Sequence, residues 1–66
     1  MTDRVTHSFS DQGVATVVLC NPPLNIYDLA MRDGLIESIT AVRDNPDARC
    51  LLIRAVGSHF SVGADL

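Results

Sequence analysis

The chain has no lysine and no tryptophan, and only one glutamate and two cysteines among its 66 residues. Without lysine there is no Schiff-base amine and no P-loop lysine to hold a nucleotide's phosphates, so both classes are excluded. The net charge of −3 supplies no basic patch, and neither nucleic acid nor an anionic membrane surface is expected as a partner. No apolar run approaches the roughly 20 residues of a spanning helix, and Met1-Thr2-Asp3-Arg4 is not followed by an apolar leader core. The expectation is a soluble, cytoplasmic protein. Cys20 and Cys50 are far apart, with no CxxC pair and no histidine at ligand spacing. They read as free, buried thiols rather than a disulfide, and no metal site is expected.

What is present is apolar and patterned. Apolar residues make up 47% of the chain, too many for a disordered tail. A chain of this length buries only about 60% of its extended surface on folding, so a single small unit of marginal stability is expected.

From Val5 to Ser10 the residues alternate, with Val5, His7 and Phe9 on one side and Thr6, Ser8 and Ser10 on the other, the period of a half-buried strand. Asp11-Gln12-Gly13 reads as a turn, and Val14 to Cys20 as a second, deeper strand of a hairpin. His7, alone on the apolar side, reads as a packed or edge residue rather than a ligand. Asn21-Pro22-Pro23 ends the strand, because proline cannot donate to a ladder, and residues 21 to 27 follow as a loop.

Asp28 is placed to cap a helix whose apolar stripe is Met31, Leu35, Ile39 and Val42. Arg32 and Arg43 beside the stripe are expected to lay their stems along the sheet, and Asp28 and Arg32 to pair at i, i+4. Gly34 weakens the middle of the helix by about 1 kcal/mol relative to alanine. Glu37 falls on the polar side as a solvated residue. Asp44-Asn45-Pro46 closes the helix, because proline disfavours helical geometry in the residue before it. Strand, helix and strand then make a parallel, right-handed βαβ unit preceded by a hairpin strand, a ββαβ order of the α/β class.

The apolar run Cys50 to Gly57 reads as a buried strand that delivers the loop Ser58-His59-Phe60-Ser61-Val62-Gly63-Ala64-Asp65-Leu66. Converging backbone N–H groups in such a loop can hold negative charge developing on a carbonyl oxygen. Asp65 is placed as a cap or loop-fixing acceptor. One alternative is an ordinary strand-to-helix connection whose glycines only permit the turn. Another is a nucleophile elbow at Ser61, disfavoured because His59 stands where that tight turn wants glycine. His59 has no aspartate to orient it and reads as exposed.

Asn21-Pro22-Pro23-Leu24-Asn25, the helix after it, the apolar strand and Phe60-Ser61-Val62-Gly63-Ala64-Asp65-Leu66 together resemble the N-terminal part of the crotonase superfamily, the enoyl-CoA hydratases and isomerases. The resemblance implies that residues 1–66 are the truncated start of a single crotonase-like domain, a spiral of ββα turns. It implies acyl-CoA thioester chemistry of fatty acid metabolism, lyase or isomerase, passing through an enolate-like oxyanion. By the same resemblance Ala64 supplies one of two backbone N–H donors to the thioester oxygen. Pro23, Leu24, Val62, Gly63 and Ala64 would line the path of coenzyme A, which enters as part of the substrate and not as a permanently bound cofactor. Val62 stands where family members often have alanine, and Pro22-Pro23 where many carry a basic residue.

The second donor and the general acid and base lie downstream in the family, so the chain alone is expected to be inactive, and the full-length enzyme to be a homo-oligomer. The competing expectation is a catalytically inactive truncated homologue that serves as a binding or structural piece.

Overall fold

The computed structural model describes residues 4–64. Asp65 and Leu66, with the capping role expected of Asp65, lie outside the described residues. The elements are β1 (Val5–Phe9), β2 (Val14–Leu19), α1 (Leu29–Arg43) and β3 (Cys50–Ala55), the expected ββαβ order. They form one sheet in the order β1-β2-β3. β1 runs antiparallel to β2, with Val5 opposite Leu19 and Phe9 opposite Ala15, while β3 runs parallel to β2, with Val14 opposite Cys50 and Leu19 opposite Ala55. Among the described residues no helix is long and apolar enough to cross a membrane.

The period-2 pattern of β2 is what builds the core. Ala15, Val17 and Leu19 all turn one way and are buried there with Val5 and Met31, and Leu35, Val42 and Ala55 pack against this cluster. Asp28 caps α1 as expected: its Oδ1 accepts from the Met31 N–H at 2.9 Å, filling one of the unpaired donors of the first turn. At the other end the helix stops at Arg43, and the Asp44 N–H donates back to the Thr40 carbonyl at 3.0 Å.

The buried face of α1 is rotated from the expected stripe. Ile39 is 42% exposed, while Ser38, one position earlier, is 2% exposed. At about 100° per residue, Met31, Gly34, Leu35, Ser38 and Val42 share a face centred closer to Gly34 than the purely apolar stripe suggests. The cause is close packing. A β-carbon on Gly34 would meet the Val5 Cβ at 3.0 Å, so only glycine lets the helix settle this near β1. Ser38 then sits within reach of β1, and its Oγ and the His7 Nδ1 lie 3.1 Å apart in a hydrogen bond. His7 is therefore an edge residue with a polar partner, exposed at its rim and set edge-on to Phe9.

Four further expectations are corrected. β3, expected to be buried, is exposed from Cys50 to Arg54, because it is an edge strand and α1 packs over β1 and β2 instead. Cys50 is accordingly an exposed thiol, Cys20 a half-buried one, and both are free. Arg32 and Arg43 turn outward to the neighbouring carboxylates of Asp33 and Asp44, at 3.1 and 2.9 Å, instead of lying on the sheet. Asp28 is consequently left to Arg4, 3.5 Å away, and to the Asn21 amide at 3.4 Å rather than to Arg32.

Candidate functional site

Because β2 and β3 are parallel and Leu19 pairs with Ala55, the loops that follow them leave the same end of the sheet side by side. In open α/β sheets that crevice, outside the carboxyl ends of parallel strands, is where ligands bind. The Val56 N–H donates to the Leu19 carbonyl at 3.0 Å and carries the pairing one step past the strands.

Beyond it the two loops are laced together. The Val62 N–H donates to the Leu24 carbonyl at 3.2 Å, and the Tyr27 N–H to the Gly63 carbonyl at 2.9 Å, so that Tyr27 and Ala64 form a parallel bridge. At the centre is Asn25, 0% exposed. Its Nδ2 donates to the carbonyls of Val56 at 2.9 Å and His59 at 2.7 Å, and its Oδ1 accepts from the Asn21 N–H at 2.8 Å. Its own carbonyl accepts from the Ser61 Oγ at 2.7 Å. Ser61 is thereby spent on holding the loop, which argues against the nucleophile-elbow alternative.

The residues expected at the site are brought together. Pro23 and Leu24 lie on one loop and Val62, Gly63 and Ala64 on the other, all of them exposed. Gly63 has a φ of 120°, a conformation that L side chains rarely adopt. The orientation of the Gly63–Ala64 peptide follows from its partner. In a trans peptide the C=O and N–H point in opposite directions, and the Gly63 C=O points at Tyr27. The Ala64 N–H therefore faces away from the Tyr27 loop, and among the described residues it meets no acceptor. Glu37, on the polar face of α1, is exposed, as is His59.

An open cavity of ≈ 800 Å³ lies at the opposite end of the sheet, with Gln12, Asp47 and Arg49 in its wall. It contains none of the expected site residues.

No family model matches the chain. Among curated proteins it is similar to the peroxisomal fatty acid beta-oxidation multifunctional protein of Oryza sativa subsp. japonica, 33% identical over 96% of this chain and 9% of that protein. It is also similar to the mitochondrial enoyl-CoA hydratase domain-containing protein 3 of Danio rerio, 40% identical over 82% of this chain and 19% of that protein. Among solved structures, an enoyl-CoA hydratase/isomerase-type protein from Mycobacterium abscessus superposes with a TM-score of 0.87 at 35% identity, over 94% of this chain and 24% of that one. The chain belongs to the crotonase superfamily. Its three-stranded sheet and single helix match the N-terminal part of the crotonase fold, and it spans about a quarter or less of the length of these relatives.

Two residues of this loop pair escape a reading of the sequence. Asn25 is half of the Leu24-Asn25 pair that carries the resemblance, yet nothing in the sequence tells that its side chain is buried against a loop more than thirty positions away. Tyr27 acts through its backbone N–H, which any residue but proline would supply. The residue type of Asn25 signals only the local backbone: asparagine is among the few non-glycine residues suited to a positive φ, and its φ is 51°.

Proposed function

We propose that this chain forms the front of an enoyl-CoA hydratase/isomerase-type site acting on acyl-CoA thioesters, and that the Ala64 N–H is one of the two donors that hold the thioester oxygen as it becomes enolate-like. The observation that carries the reading is the outward aim of the Gly63–Ala64 peptide, fixed from behind by the Tyr27 N–H. A donor held in this way need not reorganise as charge builds on the oxygen, and losing one such donor typically costs about a hundredfold or more in rate.

In this reading the exposed edges of Pro23, Leu24 and Val62 line the path of the coenzyme A portion, and Gly63 leaves room for the thioester, since a β-carbon there would meet nothing within 4 Å. Coenzyme A arrives as part of the substrate. The second donor and the acid and base that choose between hydration and isomerisation are assigned to other segments of a larger protein, in keeping with the greater length of the relatives.

Amide-resolved NMR of the full chain titrated with acetyl-CoA tests the reading. The Ala64 amide is expected to shift with saturable dependence, and Ala64→Pro, which deletes the donor, to weaken binding. An Ala64 amide unmoved at saturation would overturn the assignment.

A further inference from the structure

We infer that Asn25 is the positioning residue of this site: its buried carboxamide, by tying the carbonyls of Val56 and His59 to the 21–27 loop, sets the aim of the Gly63–Ala64 peptide. The inference rests on the Ala64 reading above for its functional meaning, but its structural half stands independently.

At a fully buried position, the available donors and acceptors decide which side chain fits. Asn25 is fully buried, and the groups facing its side chain are two carbonyl oxygens and one backbone N–H. Satisfying them requires two donor hydrogens and one acceptor on a short side chain, which is the inventory of an asparagine amide. Aspartate has the shape but only acceptors when ionised, and would set a carboxylate against two carbonyl oxygens. Alanine or serine leaves at least one of those carbonyls without its partner, and a buried polar group without a partner is costly. The backbone adds a second demand, because φ is 51° at this position, where asparagine is among the few non-glycine residues commonly found.

The geometry leads from Asn25 to the Ala64 N–H in short steps. Asn25 fixes residues 56 to 59 through its amide and residue 61 through its carbonyl, where the Ser61 hydroxyl donates. That hydroxyl oxygen also accepts from the Gly63 N–H at 3.3 Å, and the flanking Leu24 and Tyr27 hold Val62 and Gly63. Every peptide from 61 to 63 is thus fastened to Asn25 or to a close neighbour in its loop. With the amide removed, the two short bonds at the base of the loop go, and the Gly63 carbonyl is free to swing off the Tyr27 N–H. Asn25 acts through the loop and does not touch the ligand.

The test compares Asn25→Gly, Asn25→Asp, Ser61→Ala and Ala64→Pro in the full chain. Backbone amide hydrogen exchange and acetyl-CoA affinity are both followed. Asn25→Gly keeps the positive φ and removes the amide, and Asn25→Asp keeps the shape and removes the donors. Both are expected to speed exchange at the Val62 and Tyr27 amides tenfold or more, to leave Thr6 and Val18 in the sheet within twofold, and to weaken acetyl-CoA binding about tenfold.

Ser61→Ala, a milder change in the same web, is expected to speed exchange at Val62 alone by a smaller factor, and keeps the inference testable if the Asn25 variants do not fold. Wild-type exchange at Val62 and Tyr27 in Asn25→Asp would overturn the inference, as would uniform acceleration throughout the sheet. If Ala64→Pro binds acetyl-CoA like the wild type, the donor reading fails by itself, whatever the Asn25 variants do to exchange.

Discussion

Gly34 of the helix and Val5 of the first strand touch so closely that a methyl group on Gly34 would lie 3.0 Å from the Val5 Cβ. The contact is with a branch point on a strand, not with the end of a flexible chain, so it cannot be relieved by rotating a side chain. Gly34→Ala gains about 1 kcal/mol of helix propensity but overpacks the interface, which typically costs about 1–3 kcal/mol. The expected result is a net loss of about 1 kcal/mol, seen as a lower urea midpoint. A raised midpoint would mean that the helix can lift off β1 at little cost.

Asp28→Ala removes the cap of α1 together with the acceptor for Asn21 and Arg4. The cap is worth about 1 kcal/mol. The ion pair with Arg4 is partly solvated and adds at most about 0.5 kcal/mol. Asp28→Asn keeps the capping oxygen, so it should recover most of the loss in a denaturant titration. Equal losses for the two variants would shift the explanation to the charge.

Gly13 and Gly63 both have positive φ, of 88° and 120°, but different surroundings. A β-carbon at Gly13 would meet the Arg49 Cγ at 2.8 Å and the Asp47 carbonyl oxygen at 2.9 Å, whereas one at Gly63 would meet nothing within 4 Å. Backbone strain of about 1–3 kcal/mol applies to alanine at either position. Gly13→Ala should therefore destabilise the fold more than Gly63→Ala, whose cost is confined to the site loop. Comparing the two midpoints checks the order, and a larger drop for Gly63→Ala would contradict it.

The two thiols should differ in access. Cys50 opens the exposed edge strand and Cys20 is half-buried at the end of β2. A thiol-specific reagent at neutral pH is expected to label Cys50 several-fold faster, with the difference vanishing in denaturant. Labelling in the reverse order would mean that β3 is covered in solution.

The elements of the fold were legible in the sequence because each carries a local signal: the alternation of Val5 to Ser10, the capping aspartate at 28, and the prolines at 22, 23 and 46. The failures concern contacts between elements. Apolar content alone made Leu51, Leu52 and Ile53 look buried, but burial depends on what lies over a strand, and α1 covers its neighbours instead. The stripe on α1 was misplaced for a related reason. Hydrophobic periodicity gives no weight to glycine or serine, and it is Gly34 and Ser38 that approach the first strand. At the site, the motif around Ala64 could be read from its residues, whereas the web around Asn25 joins positions whose nearness exists only once β3 has paired with β2.

That dependence sets an order in time. Joining Asn25 to residues 56 to 61 in an unfolded chain closes a loop of some thirty residues, at about 3 kcal/mol of entropy, and fixing each loop residue costs about 1 kcal/mol more. The few hydrogen bonds gained contribute only about 1 kcal/mol each, so this web cannot nucleate folding. Pairing β3 with β2 over the helix brings the ends together first, and the loops then lock at little further cost. In a pulse-labelling refolding experiment the amides of β1 and β2 should become protected before those of Tyr27 and Val62, so the loops of the candidate site are the last to arrive.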